Sequence, residues 1–319
     1  MPRFNIHHVT KYTYEGPVRD SANQIVLFPV KDGYQEVLKH ELTITGEPNV
    51  DVYKDYYGNE IGSFTHAEPH ISLTVDSRLE VITKSRPALR DSMEKESQWA
   101  HLEEVRWQVP YIDFLKQEQF PSLAEVLESV CPEKARGQTP LEAALQLRNY
   151  VYDQFKYIKG VTSVESTLDE VWKLKAGVCQ DFAHMLLVFL RQIQIPARYV
   201  SGYICPNRNG MRGEGATHAW IEAYIPDNGW VGLDPTNNCI ADDLHVRLAV
   251  GRSFSDCSPV KGTYKGTAGQ KLEVGVSVSY ESGEATEDTA TVLEAQPSAN
   301  GTALNSYRRY MEMMQQQQQ

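Results

Sequence analysis

Three residues of this chain have types and settings suited to acyl chemistry: Cys179 in "AGVCQDFAHMLLVFLRQIQIP", and His218 and Asp234 in "THAWIEAYIPDNGWVGLDPTNN". After the cysteine, apolar residues recur at Phe182, Leu186, Phe189, Leu190 and Ile193, and Pro196 stops the run. This spacing predicts a helix over 179–193 with Cys179 at its N-terminus. There the helix dipole and the free backbone N–H groups favour thiolate over thiol. The plain alternative is a packing cysteine, since free cysteine is among the most buried residue types. His218 opens a period-two run in which it shares a face with Trp220, Glu222 and Tyr224, while Ala219, Ile221, Ala223 and Ile225 form an apolar face. The apolar set is expected on the core and the histidine toward a cleft or solvent. Asp234 ends the next strand, across the turn residues Pro226-Asp227-Asn228-Gly229, and a loop with an odd number of residues brings it to the side of His218. Singly, these two read as an ordinary strand histidine and a loop-capping aspartate. Jointly, a thiolate that attacks an acyl carbon, a histidine that moves protons and a carboxylate that orients the imidazole make a nucleophilic acyl-transfer site. Such a site also needs an oxyanion hole. Cys179 N–H is one natural donor; no second donor is evident, and Trp172 reads as core packing.

The elements that must position these residues fall into four expected segments. Residues 1–85 alternate like strands, clearest in "ISLTV" and "LEVIT", with breakers at Gly16-Pro17, Asp32-Gly33 and Gly58-Asn59, and read as an all-β sandwich. Residues 86–136 read as a helical connector interrupted by prolines. Residues 137–280 read as the catalytic core with C-terminal strands. They open on "TPLEAALQLRNYVYDQF", with Thr139 as N-cap, Pro140 at the first helical position and Glu142 placed to close a capping box. The strands "ARYVSGYIC", "HAWIEAYI", "GWVGLD", "HVRLAV" and "KLEVGVSVSY" follow. Residues 281–319 are low in complexity and end in five glutamines, so a partly disordered tail is expected, with a short helix around 307–314.

Composition narrows the classes. A chain of 319 residues with 41% hydrophobic residues can bury a substantial core. No apolar stretch approaches the roughly 20 residues of a membrane helix, and the start "MPRFNIHHVTKYTYEG" lacks the pattern of a signal peptide. A cytoplasmic location without membrane association is the expectation. Cys131, Cys179, Cys205, Cys239 and Cys257 are odd in number and scattered, unlike a disulfide framework. A net charge of −11 argues against nucleic acid as a partner. Cys179, His184, Cys205, His218 and Cys239 include metal-ligand types but form no CxxC or HExxH pair, so no metal or other cofactor is expected.

Taken together, "GVCQDFAHMLLVFLRQIQIPARYVSGY", "THAWIEAYIPDNGWVGLDPT" and the order Cys, His, Asp closely resemble the bacterial transglutaminase-like family, whose core is related to papain-type cysteine proteases. The opening "HHVTKYTYEGPV", "FP" at 28–29 and "DYYGN" at 55–59 resemble the β-sandwich often fused ahead of such cores. "HVRLAVGRSFSDCSPVKG" resembles the segment that follows them, with Ser253, Phe254 and Cys257 where the family pattern has Asp, Tyr and an apolar residue. The resemblance covers roughly residues 4–280. It implies an α+β fold with a papain-like transglutaminase core behind an all-β sandwich, and puts the nucleophile on Cys179, the base on His218 and the orienting carboxylate on Asp234. It implies acyl transfer from a protein or peptide amide through a thioester. Hydrolysis, as in a cysteine protease, is the first expectation, because water needs no second binding site. Amine transfer, as in a true transglutaminase, and a non-catalytic binding module on the same fold are the alternatives. Nothing in the sequence sets the oligomeric state.

Overall fold

The computed structural model describes residues 1–129, 135, 137–163, 166–205, 211–213, 217–281 and 293–295. The alternating N-terminal segments form β1 (Arg3–Ile25), β2 (Gln35–Ile44), β3 (Asp51–Lys54), β4 (Glu60–His66) and β5 (His70–Thr83). In β5 the residues Leu73, Val75, Leu79 and Val81 are buried, while Ile71, of the same parity, is exposed at the start of the strand. Gly16-Pro17 does not end β1, contrary to the breaker reading. It sits within a break of register between Thr13 and Val18, where the missing proline N–H removes no ladder bond and the strand can bend. The first half of β1 pairs with β5 and with β14 (Gln270–Tyr280); its second half pairs with β4 and β13 (Val260–Lys265). One strand therefore belongs to two antiparallel layers, and Phe4, Ile6, Val18, Ile25, Phe64, Leu73 and Val81 meet in one cluster between them.

The strand pattern assigns residues 260–280 to the core, but the structure gives β13 and β14 to the N-terminal layers. Val276 and Val278 are buried in the same cluster as Phe4 and Ile6, and β14 supplies β1 with a partner on the side away from β5. Of the tail, Leu293–Ala295 forms β15 against Leu272–Val274. Cys131 and the helix expected over 307–314 lie outside the described residues.

The core sheet is antiparallel throughout, in the order β11 (Cys239–Ile240), β10 (Gly229–Asp234), β9 (Thr217–Ile225), β8 (Ala197–Ile204), β12 (His245–Gly251). The helices are α1 (Lys95–Val105), α2 (Leu123–Ser129), α3 (Pro140–Gln154), α4 (Leu168–Leu174), α5 (Cys179–Gln192) and α6 (Phe254–Cys257). α3 starts with the expected capping box: Thr139 Oγ1 accepts from Glu142 N–H at 3.2 Å, and Glu142 Oε2 accepts from Thr139 N–H at 3.0 Å. α5 places Phe182, Leu186, Phe189 and Leu190 in one cluster with Ala219, Ile221, Ala223 and Ile225 of β9, as the two periodicities require. None of the helices is long and apolar enough to cross a membrane among the described residues.

The opposite face of β9 is not an open cleft. Trp220 packs there with Val200, Ala241 and Val250 under Tyr57, and Glu222, 1% exposed, accepts from Arg198 at 2.6 Å and Arg247 at 3.3 Å. Alternation marks that face as polar, but cannot show that an N-terminal layer covers it. The outer edge of β12 is covered from the same side. Gln35 exchanges two amide hydrogen bonds with the backbone of Arg247, both at 2.8 Å, and Asn59 does the same with Val250 at 2.8 and 2.9 Å. These side chains satisfy groups that an edge strand would leave open.

Arg191, near the end of α5, locks that helix into place. It is buried and donates to the carbonyls of Phe114, Lys116, Ala197 and Arg252 at 2.6–3.3 Å. Arg191→Leu is expected to destabilise the protein by about 3 kcal/mol, because several buried carbonyls lose their donor at once. Urea denaturation measures this, and a midpoint equal to that of the wild type would contradict it.

Candidate active site

The chain reaches Cys179 along a short, well-held path. Lys175, in the left-handed conformation (φ 48°), ends α4 and turns into β7 (Ala176–Gly177). β7 runs parallel to β6 (Lys156–Tyr157), with Lys156 N–H on Lys175 O at 2.8 Å and Ile158 N–H on Gly177 O at 3.0 Å. Cys179 is the first residue of α5, and its N–H precedes the first intrahelical bond, from Phe182 N–H to Val178 O at 3.1 Å. Asp181 secures this end by accepting from Val178 N–H and from Thr162 Oγ1, both at 2.7 Å. Burial pushes its carboxyl up to about 6, against the pull of those two bonds. Gly177 leaves the space, since a side chain there would run into the Asp181 carboxyl.

Cys179 is half-buried, whereas Cys205 and Cys257 are fully buried and desolvation raises both thiols well above their ordinary range. Cys239, on β11, is pushed up to about 12 by burial and then by the charge of Asp234. Only Cys179 among these four begins a helix.

The β9–β10 hairpin pairs Ile225 with Gly229, leaving a three-residue loop, so the odd-loop expectation holds and Asp234 emerges on the side of His218. His218 Nε2–H donates to Asp234 Oδ2 at 2.8 Å, and both side chains are fully buried. Asp234 accepts more than this one bond. Oδ2 also meets His245 Nε2 at 3.2 Å and Asn237 Nδ2 at 2.8 Å, while Oδ1 accepts from the N–H groups of Thr236 (2.8 Å) and Asn237 (3.2 Å). Desolvation by itself would raise the Asp234 pKa, but the charge and hydrogen bond of His218, with help from His245, hold it well below the carboxylate range. For His218 the balance is the mirror image: burial lowers it, and Asp234 and then Cys179 raise it to about 10. His218 Nδ1 makes no ordinary hydrogen bond among the described residues, and is the nitrogen left for the cysteine. Such contacts commonly tighten only when substrate is bound.

Sequence reasoning missed His245, Thr236, Asn237, Asp181 and Thr162. "DPTNN" carried a signal for two of them, because an aspartate followed at two and three residues by free N–H groups is a local turn cap. Of the ligand types in the rival metal set, His184 and Cys205 are engaged elsewhere: His184 Nε2 accepts from Phe254 N–H at 3.1 Å, and Cys205 belongs to the cluster of the N-terminal layers. His218, Asp234 and His245 do bring three ligand-type atoms within 4.8 Å of one another. Both inward-facing imidazole nitrogens, however, already bond the buried carboxylate.

The transglutaminase-like superfamily matches residues 129–235, and the bacterial transglutaminase-like N-terminal region matches residues 4–82. A Mycobacterium leprae protein is 32% identical over 283 residues, which cover 88% of this chain and 99% of that one. The chain belongs to the transglutaminase-like superfamily. That mycobacterial member is uncharacterised. Another, from Pseudomonas aeruginosa, is named protein-glutamine gamma-glutamyltransferase and is 29% identical over 110 residues, 32% of this chain and 16% of its own length. A solved structure from Cytophaga hutchinsonii, titled as a candidate cysteine protease, superposes with a TM-score of 0.68 at 21% identity, covering 88% of this chain and 91% of that one. At that identity it shows the shared superfamily fold.

Proposed function

We propose that the protein is a cysteine-dependent acyl-transfer enzyme that hydrolyses peptide or amide bonds, with Cys179 as nucleophile, His218 as proton carrier and Asp234 as orienting carboxylate. The observation that carries this reading is the buried 2.8 Å bond from His218 Nε2 to Asp234, with Cys179 acting on the same ring from the start of α5. An imidazolium beside a sulfur favours the thiolate. The sulfur attacks the acyl carbon, a C–S bond forms, and the carbonyl electron pair moves to oxygen. On collapse the C–N bond breaks and His218 gives its Nδ1 proton to the leaving amine. The now neutral ring takes a proton from water, whose oxygen attacks the thioester and releases Cys179. Asp234, an acceptor only, keeps the proton on Nε2 and stabilises the ring's charge throughout.

A primary amine in place of water would give a cross-linked or modified side chain. The likeness to the Pseudomonas glutamyltransferase supports that second reading. Incubation with a diverse peptide library, with and without a primary amine, separates the two by product mass. Cleaved or deamidated products in both reactions are expected. Products that form only with the amine would make the enzyme a transferase, and no Cys179-dependent product in either reaction would leave a binding module.

A further inference from the structure

A thioester mechanism develops negative charge on the carbonyl oxygen, and the start of α5 offers one donor to it, Cys179 N–H. Tyr157 is the residue to consider for a second. It lies on β6 in register with Gly177, two residues before the nucleophile, and its position is fixed by the backbone bonds that flank it at Lys156 and Ile158. Its ring packs edge-on against Phe182 of α5, with centroids 6.2 Å apart. The hydroxyl is turned toward the reacting groups. A single point, the Cβ position that Gly213 lacks, is 3.0 Å from His218 Nδ1 and 4.0 Å from the Tyr157 hydroxyl. Gly213 has φ +81°, a conformation that disfavours a side chain, so no side chain at this position comes between these two polar atoms. No described residue hydrogen-bonds the Tyr157 hydroxyl, and the side chain is only half-buried, so a substrate oxygen can reach it.

Trp220 is the competing donor, because its Nε1 also lacks a partner among the described residues and its ring stacks on His218 at 6.1 Å. It is 1% exposed beneath the N-terminal layer, out of reach of a substrate.

Building on the acyl-transfer reading above, we propose that Tyr157 is the second oxyanion donor, its hydroxyl hydrogen-bonding the carbonyl oxygen of the tetrahedral intermediate from the side opposite Cys179 N–H. The hydroxyl keeps its proton throughout: the bond stabilises the oxygen's charge while the C–S bond forms and the C–N bond breaks, and proton transfer remains with His218. Burial, and then the neighbouring Cys179, raise the phenol above its ordinary range, which keeps it a donor at neutral pH.

Two probes that need no knowledge of the natural substrate test this on the whole 319-residue chain at neutral pH. Acylation of Cys179 by p-nitrophenyl acetate passes through a tetrahedral oxyanion; alkylation by iodoacetamide does not. In Tyr157→Phe the acylation burst is expected to slow by about 10²-fold, the usual cost of one lost oxyanion donor, while alkylation stays within about twofold of wild type. Unchanged alkylation also reports that the site is folded. Acylation at the wild-type rate would overturn the proposal. So would equal losses in both reactions, since Tyr157 would then be supporting the Cys179–His218 pair and not the oxygen. Wild-type protein that alkylates at Cys179 but is never acylated there, as judged by mass against Cys179→Ala, would instead sink the acyl-transfer reading itself.

Discussion

Cys179→Ala is expected to lower turnover by roughly 10⁵- to 10⁶-fold, the loss seen when a nucleophile is removed from a unit that works together. Cys131→Ala, Cys205→Ala, Cys239→Ala and Cys257→Ala should each keep most of kcat. The contrast follows from position. Cys205 and Cys257 are sealed in apolar clusters, and replacing them removes a small hydrophobe, at a cost to stability of about 1 kcal/mol. Cys239 sits beside Asp234 on the neighbouring strand, and its thiol is pushed up to about 12, so it has little thiolate to offer near neutrality. Intact-mass detection of an acyl adduct, alongside kcat for each variant, makes the measurement. A folded Cys239→Ala protein without activity, next to an active Cys179→Ala protein, would move the nucleophile to β11.

The second large effect concerns the buried pair. His218→Ala removes the proton carrier and the cationic partner of the sulfur together, and should approach the loss of Cys179→Ala. Asp234→Asn keeps a hydrogen-bonding side chain but favours the wrong tautomer, and about 10⁴-fold is expected. The two act as one unit, so the double variant should lose little beyond His218→Ala. Fully multiplicative losses between folded variants would show that Asp234 is not the partner of His218. The pair should also shape stability against pH. Asp234 is held below its ordinary 3.8, so its contribution is present above that pH and is lost as pH falls through the folded value. His218 is raised from 6.5 to about 10, so its contribution is complete below 6.5 and is lost as pH rises toward 10. Wild type should therefore exceed Asp234→Asn in urea midpoint most clearly near pH 5. The gap should narrow on either side, and a gap that widens steadily from pH 7 to pH 10 would contradict the assignment.

What the sequence made legible was local. The start of α5 at Cys179 follows from a 3.6-residue period and a proline stop, and the side on which Asp234 emerges follows from the parity of one turn. The capping box at Thr139 needs only residues three apart. What stayed hidden depended on partners far along the chain. Glu222 and His218 read as facing a cleft because alternation describes one strand and not the layer that later covers it. Gly16-Pro17 reads as a break because the two layers that share β1 are built from strands up to residue 280. His245 was hidden although it lies only 11 residues along the chain from Asp234, because no local periodicity shows the 3.2 Å approach of the two side chains.

The pairing of β1 with β14 has a consequence for how the protein comes to be made. Phe4 lies opposite Tyr280 and Tyr14 opposite Gln270, so β1 leaves the ribosome long before β14, the strand that occupies its second side. Until then β1 has an open edge, and the apolar residues that meet Val276 and Val278 remain uncovered. Such contacts between distant parts of a chain slow folding and lengthen the time in which strand edges can find the wrong partner. Stopping synthesis before residue 270 would yield a chain that holds Cys179, His218 and Asp234 but leaves that edge open. Such a chain would be prone to self-association, although it already carries the three residues proposed to react.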